Sequence, residues 1–258
     1  MSHDHICCTP KGLDPALRLM AAENAIRINP MNRAPVERLI KVLPDLIDLK
    51  PFTALLTSKR WHTDGVDLSV SFMEARPAEF RDRVLGHMNA WGETAKVRFR
   101  ETTGTGQVRI AFAIDGHWSY LGTDVLHINA SQPTMNLQAF TMTTPDSEFY
   151  RVVRHETGHT LGFPHEHMRG ELVAKIDREK AITYYMATQG WSREEVIQQV
   201  LTPIDESSIM GTARADPRSI MCYQIPGSLT TDGQPIPGGS DIDAFDREFV
   251  GQCYPKHA

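Results

Sequence analysis

The chain has 258 residues, 41% hydrophobic and 23% charged, with a formal net charge of -5 and a pI of about 6.1. This is ordinary globular composition, and nothing in it points to a nucleic-acid or anionic-membrane partner. No stretch approaches the roughly 20 apolar residues of a membrane span, and Cys7, Cys8, Cys222 and Cys253 are too few for a disulfide-held scaffold.

The first eight residues, Met-Ser-His-Asp-His-Ile-Cys-Cys, have no basic region followed by an apolar core. They do not read as a secretory signal peptide, so the expectation is a cytoplasmic chain or one exported by another route. Residues 14–28 read as a helix, with Asp14 as cap and Pro15 in the first turn. Residues 34–49 read as a second helix, interrupted near Pro44. From residue 66, Val66, Leu68, Val70 and Phe72 alternate as on a strand. Pro77 opens a helix with Phe80, Val84, Leu85, Met88 and Trp91 on its inner side. Val97 with Phe99, then Val108, Ile110, Phe112 and Ile114, predict two more strands, and 124–129 and 136–140 two shorter ones. A helix is expected from about 148 to 161, then others over 178–188 and 192–200, the last capped by Ser192 with Glu195. Residues 224–240 are rich in Pro and Gly and read as a loop before a final helix starting at Ser240 or Asp241.

The chemistry lies in the run His155-Glu156-Thr157-Gly158-His159-Thr160-Leu161-Gly162-Phe163-Pro164-His165. On a helix, His155 and His159 share one face and can hold one ion, with Glu156 beside it to handle a water proton. Gly162 can adopt a left-handed conformation and end the helix, letting the chain bring His165 round as a third ligand. Three neutral histidines and a water describe a catalytic site for one zinc ion. Ser219-Ile220-Met221-Cys222-Tyr223, farther along, resembles the Met-turn of metzincins. Met221 would then floor the site, and Tyr223 would be an extra ligand or a donor to a developing oxyanion.

The run Phe163-Pro164-His165-Glu166-His167-Met168-Arg169 and the Ser-Ile-Met-x-Tyr at 219–223 together resemble the astacin family of metzincins, as do, more weakly, Trp61, Val97-Arg98-Phe99, Trp118-Ser119-Tyr120-Leu121-Gly122 and Leu137-Gln138-Ala139. The glycine-rich calcium repeats of serralysins are absent. The resemblance covers roughly residues 60–256. It implies an α+β zincin: a twisted mixed sheet and active-site helix above a cleft, with an irregular, helical lower subdomain. It implies a zinc endopeptidase acting on a protein or peptide, with a substrate strand added to a sheet edge, for which 136–140 is the candidate. By position, Glu166 matches the residue that receives the mature N-terminus after proenzyme cleavage, and His167 matches no ligand. The match departs at Lys96, where a family cysteine would stand, leaving Cys253 without that partner. Cys222 and Cys253 stay open as free thiols or a bridge.

The expected organisation is an N-terminal helical segment, 1–57, and a catalytic domain, 58–258, with an upper half to about 165 and a lower half from 166. Two readings of 1–57 stand: a packed extension, or an inhibitory pro-segment. In the second, Cys7 or Cys8 could supply a thiolate to zinc. The alternatives for these cysteines are a small accessory site with His3 and His5, or reactive thiols alone. Lys59-Arg60 is a candidate processing site or plain solvated surface.

Overall fold

A computed structural model describes residues 8–33, 58–204 and 214–256. The predicted helix over 34–49, Cys7, His3 and His5 lie outside these residues.

A six-stranded sheet is built in the order β1-β5-β6-β4-β2-β3, from β1 (Cys8–Lys11), β2 (Val66–Phe72), β3 (Val97–Glu101), β4 (Val108–Ala111), β5 (His117–Tyr120) and β6 (Met135–Leu137). Neighbours run parallel except β5 and β6, which are antiparallel, so the sheet is mixed as expected. Val66, Leu68 and Val70 are buried and Asp67 is exposed, which gives β2 its alternation. Helix α2 (Ala78–Asn89) begins after Pro77 and buries Phe80, Val84 and Met88 against the sheet. Burial of this kind stabilises by roughly 1.5–3 kcal/mol per large side chain.

The N-terminal part holds helix α1 (Arg18–Ile28), entered through a 3-10 turn whose first amide, Ala16 N–H, is capped by the Asp14 carboxylate at 2.9 Å. Its far end is tied to the sheet-bearing half by two buried asparagines. Asn29 Nδ2 donates to the Trp61 carbonyl at 2.7 Å, and Asn32 Nδ2 to those of Ala25 and Arg60 at 2.9 Å each. Lys59 and Arg60 are buried, and Lys59 Nζ pairs with Asp124 at 3.2 Å. The basic pair is therefore not solvated surface, and in this state it is closed to a protease.

Three local expectations are corrected. The run through Ile114 stops at Ala111, because Asp115-Gly116 turn the chain, and Ile114 is 89% exposed. Residues 122–127 form a 3-10 helix rather than a strand: Gly122 has positive φ, and the Asp124 amide donates back to the Leu121 carbonyl at 3.0 Å. Residues 136–140 do not offer a free edge, because β6 is flanked by β4 and β5. The outer neighbour is β5, a strand the periodicity did not single out, and β1 pairs along it from Cys8 opposite His117 to Lys11 opposite Tyr120. Pro10 is tolerated there because β1 is itself an edge and its missing N–H costs no ladder bond on the outer side.

The motif helix is continuous from Asp146, through a π-helical turn at Phe149–Val153, into α3 (Arg154–Thr160). Beyond it lie α4 (Gly170–Val173), α5 (Arg178–Gln189), α6 (Arg193–Val196) with a π-helical continuation to Leu201, and α7 (Ala244–Cys253). The Ser192–Glu195 capping box is present, and α7 has its own between Asp243 and Asp246. A second core of Ile182, Tyr185, Val196, Val200, Tyr223 and Ile225 fills this lower half. Cys8, Cys222 and Cys253 are buried thiols, so no bridge joins Cys222 to Cys253.

Candidate metal centre

Helix α3 is fixed by hydrogen bonds from three separate points of the sheet-bearing half. Trp91 Nε1 donates to the Arg154 carbonyl at 2.8 Å, Ser119 Oγ to that of Glu156 at 2.9 Å, and Trp61 Nε1 to that of Thr160 at 2.8 Å. Gly158 leaves room for Met221, whose Sδ would collide with any Cβ there. The helix ends at Gly162, φ +96°, where a Cβ would meet Arg60 Cα at 3.0 Å. Only glycine takes that turn without strain.

The turn brings His165 back to His155 and His159. Their Nε2 atoms form a triangle with sides of 3.0, 3.1 and 3.2 Å, and all three rings are buried. His155 Nδ1 faces the Ile220 carbonyl at 2.6 Å, and His159 Nδ1 faces the Phe163 carbonyl at 2.8 Å. A carbonyl only accepts, so these Nδ1 atoms carry the protons and the Nε2 atoms carry lone pairs. Burial lowers the pKa of all three rings, that of His159 to about 4, so they are neutral. Converging lone pairs repel unless a cation sits among them. A tetrahedral zinc ion with bonds of roughly 2.0–2.1 Å spaces nitrogen ligands by roughly 3.3 Å, so the donor set fits it. Among the described residues, His155, His159 and His165 form the one such group, and the Cys8 thiol is not among its atoms.

Glu156 lies next to the first ligand in sequence. It is fully buried, with neither oxygen hydrogen-bonded, and burial pushes its pKa up to about 8 against the opposing pull of the Ser119 and Cys8 side chains. Glu166 is different. Burial raises it to about 7, yet Oε1 accepts from the Asp216 amide at 3.0 Å and lies 3.7 Å from Arg169.

The turn at 219–223 closes the site from below. Its Ser219 hydroxyl and Ile220 amide bond the Asp246 carboxylate of α7 at 2.6 and 2.9 Å. Met221 is buried, and its carbonyl accepts the Glu166 amide at 2.9 Å. The Tyr223 ring packs on His165 at 4.4 Å between centroids, and its hydroxyl donates to the Cys8 carbonyl. The contact with β1 was not legible in the sequence. Four residues, Cys-Thr-Pro-Lys, carry no periodicity, and the one signal was the presence of thiols ahead of a metal motif.

A metal-ready histidine triangle on a helix broken at glycine, floored by a methionine turn and set under a mixed sheet, defines a metzincin-type zinc metallopeptidase. Residues 55–224 match the model of the astacin peptidase family. The chain belongs to the astacin family. It is 33% identical over 113 residues to the zinc metalloproteinase nas-27 of Caenorhabditis elegans, a match covering 44% of this chain and 24% of that protein. The chain thus spans about a quarter of that relative. Two solved structures of myroilysin are similar at 31% identity. One has a TM-score of 0.72 over 78% of this chain and 97% of the other, the second 0.58 over 77% and 87%. No described helix is long and apolar enough to cross a membrane.

Proposed function

We propose that the chain is an endopeptidase that hydrolyses peptide bonds in proteins with one zinc ion held by His155, His159 and His165. The observation that carries this is the lone-pair triangle of three buried histidines, with the buried Glu156 next to the first of them in the chain. When bound, zinc supplies a water of lowered pKa and polarises the scissile carbonyl. Glu156 takes the water proton and delivers it to the leaving amine. Its carboxyl is buried, with the Ser119 and Cys8 side chains beside it. Tyr223 serves as an additional ligand or donates to the developing oxyanion, and Met221 and Gly162 keep the floor and the third ligand in place. Glu166, with Asp216 and Asp246 around a pocket lined by Trp91, Phe163 and Phe249, is the candidate receiver of a new N-terminal ammonium.

The division at about residue 57 belongs to the same reading, with the first portion as an inhibitory segment. Strand β1 occupies the outer side of β5, where a substrate strand would add, and Cys8 engages the Tyr223 hydroxyl. Its side chain lies beside Glu156 and its backbone beside His165. The Cys8 position favours blocking of Glu156 and Tyr223 over thiolate ligation.

The test is hydrolysis of casein and a quenched peptide library by zinc-loaded full chain, before and after limited proteolysis. Activity is expected to rise at least about tenfold on cleavage, to vanish with chelator and to return with zinc. Mass analysis of the active form locates the cut. A full chain already as active as the cleaved form contradicts the inhibitory segment. A cleaved, zinc-loaded chain that cuts nothing contradicts the peptidase.

A further inference from the structure

The astacin-like reading leaves His167 without a task, yet it is fully buried at the centre of the lower half. Its ring stacks on that of Tyr223, with centroids 4.1 Å apart and planes inclined by 18°. It also lies 4.9 Å from His165 between centroids. Its Nε2 donates to the Gln199 carbonyl at 2.9 Å, in the π-helical turn after α6. Because a carbonyl only accepts, that contact fixes the proton on Nε2 and leaves Nδ1 an acceptor. Nδ1 in turn takes the Tyr223 amide at 3.4 Å.

We infer that His167 is the positioning residue for Tyr223: a fixed-tautomer imidazole that holds the phenol's ring plane and backbone, so that the hydroxyl points to the centre and not into the lower core. This rests on the peptidase reading above. Three features separate it from ordinary packing. Both ring nitrogens are used, each by a different element. The π-helical widening at Ile197–Leu201 presents the Gln199 carbonyl, and such bulges recur at functional sites. The tyrosine touches His165 and His167 together, so its ring joins a three-ring cluster that contains one ligand and one group that is not a ligand. A tyrosine has two soft side-chain torsions, and a hydroxyl about 6 Å from Cα moves by more than an ångström for a small rotation, enough to lose an oxyanion contact. Leucine or phenylalanine at 167 would fill the space but hold neither the Tyr223 amide nor the Gln199 carbonyl.

The experiment is a double-mutant cycle in the proteolytically activated, zinc-loaded protein, with His167→Leu, His167→Gln and Tyr223→Phe, measuring kcat, KM and bound zinc. His167→Leu is expected to lower kcat about tenfold, with KM within about twofold and zinc unchanged, and to have less than about a twofold effect in the Tyr223→Phe background. His167→Gln, which keeps a donor and an acceptor, is expected to recover most of the loss. Equal losses in both tyrosine backgrounds, or loss of zinc in step with kcat, overturn the inference while leaving the peptidase reading intact. Alongside activity, the Tyr223 ring signal in protein carrying isotope-labelled tyrosine, assigned by its loss in Tyr223→Phe, reads position directly. One sharp signal is expected in the wild type, and a shifted, broadened one in His167→Leu. An unchanged ring signal overturns the inference even if no peptide is cut, and if His167→Leu fails to fold, His167→Gln and the same signal decide.

Discussion

The roof and the floor of the centre are held by different means. On the roof, His155, Glu156, His159 and His165 come from eleven consecutive residues; His159 is locked by the Phe163 carbonyl of the same run at 2.8 Å, and His155 by the Ile220 carbonyl of the floor turn at 2.6 Å. On the floor, Tyr223 is held by side chains and by a strand from the far end of the chain, through His167 and Cys8. The spacing of the roof histidines is therefore set mainly by local backbone geometry, with one carbonyl lent by the floor turn, whereas the Tyr223 ring of the floor is held by contacts distant in sequence. In the proposed reading, such a site keeps its three histidines in place while the Tyr223 hydroxyl is occupied by Cys8.

That contrast can be broken in order of expected effect. His159→Ala removes a roof ligand, and peptide hydrolysis is expected to fall by roughly three orders of magnitude or more, with zinc content dropping in parallel by atomic absorption. Tyr223→Phe removes only the floor hydroxyl, and kcat is expected to fall roughly 10–100-fold with zinc retained. A comparable zinc loss in both variants would erase the distinction. Gly162→Ala strains the turn that delivers His165, and a loss of roughly 1–3 kcal/mol in urea unfolding is expected.

A pH-dependent effect concerns the anchor of the floor. Burial raises the pKa of Asp246 from 3.8 to about 6. The fold thus prefers its protonated form: the contribution is fully present below the unfolded value and is lost as pH rises through about 6. The slope amounts to about 3 kcal/mol or less between these limits. Urea unfolding from about pH 4 to 7 should show it, and Asp246→Asn should flatten it. An identical slope in the variant would place the titration elsewhere.

The roof was legible in the sequence because a four-residue helical spacing and one left-handed glycine dictate its geometry without knowledge of the fold. The helices at Arg18–Ile28, Ala78–Asn89 and Arg178–Gln189 and the alternating strands β2 and β3 were legible for the same local reason. The free edge was not. Residues 136–140 look like an outer strand, and only the non-local antiparallel pairing with His117–Tyr120 puts them inside. The place of Cys8 was not legible: thiols ahead of a metal motif suggested a thiolate ligand, but its seat on Tyr223 and beside Glu156 depends on a parallel pairing between residues more than a hundred positions apart. His167 matched no ligand, and its task was hidden because its neighbours Tyr223 and Gln199 are distant in sequence.

The central claim is that the histidine triangle and Glu156 form one hydrolytic unit, and Glu156→Gln tests it most directly. The activated variant should bind one zinc ion per chain, as the wild type does, while kcat falls about 10³–10⁴-fold. Wild-type kcat in a fully zinc-loaded Glu156→Gln protein would contradict the account.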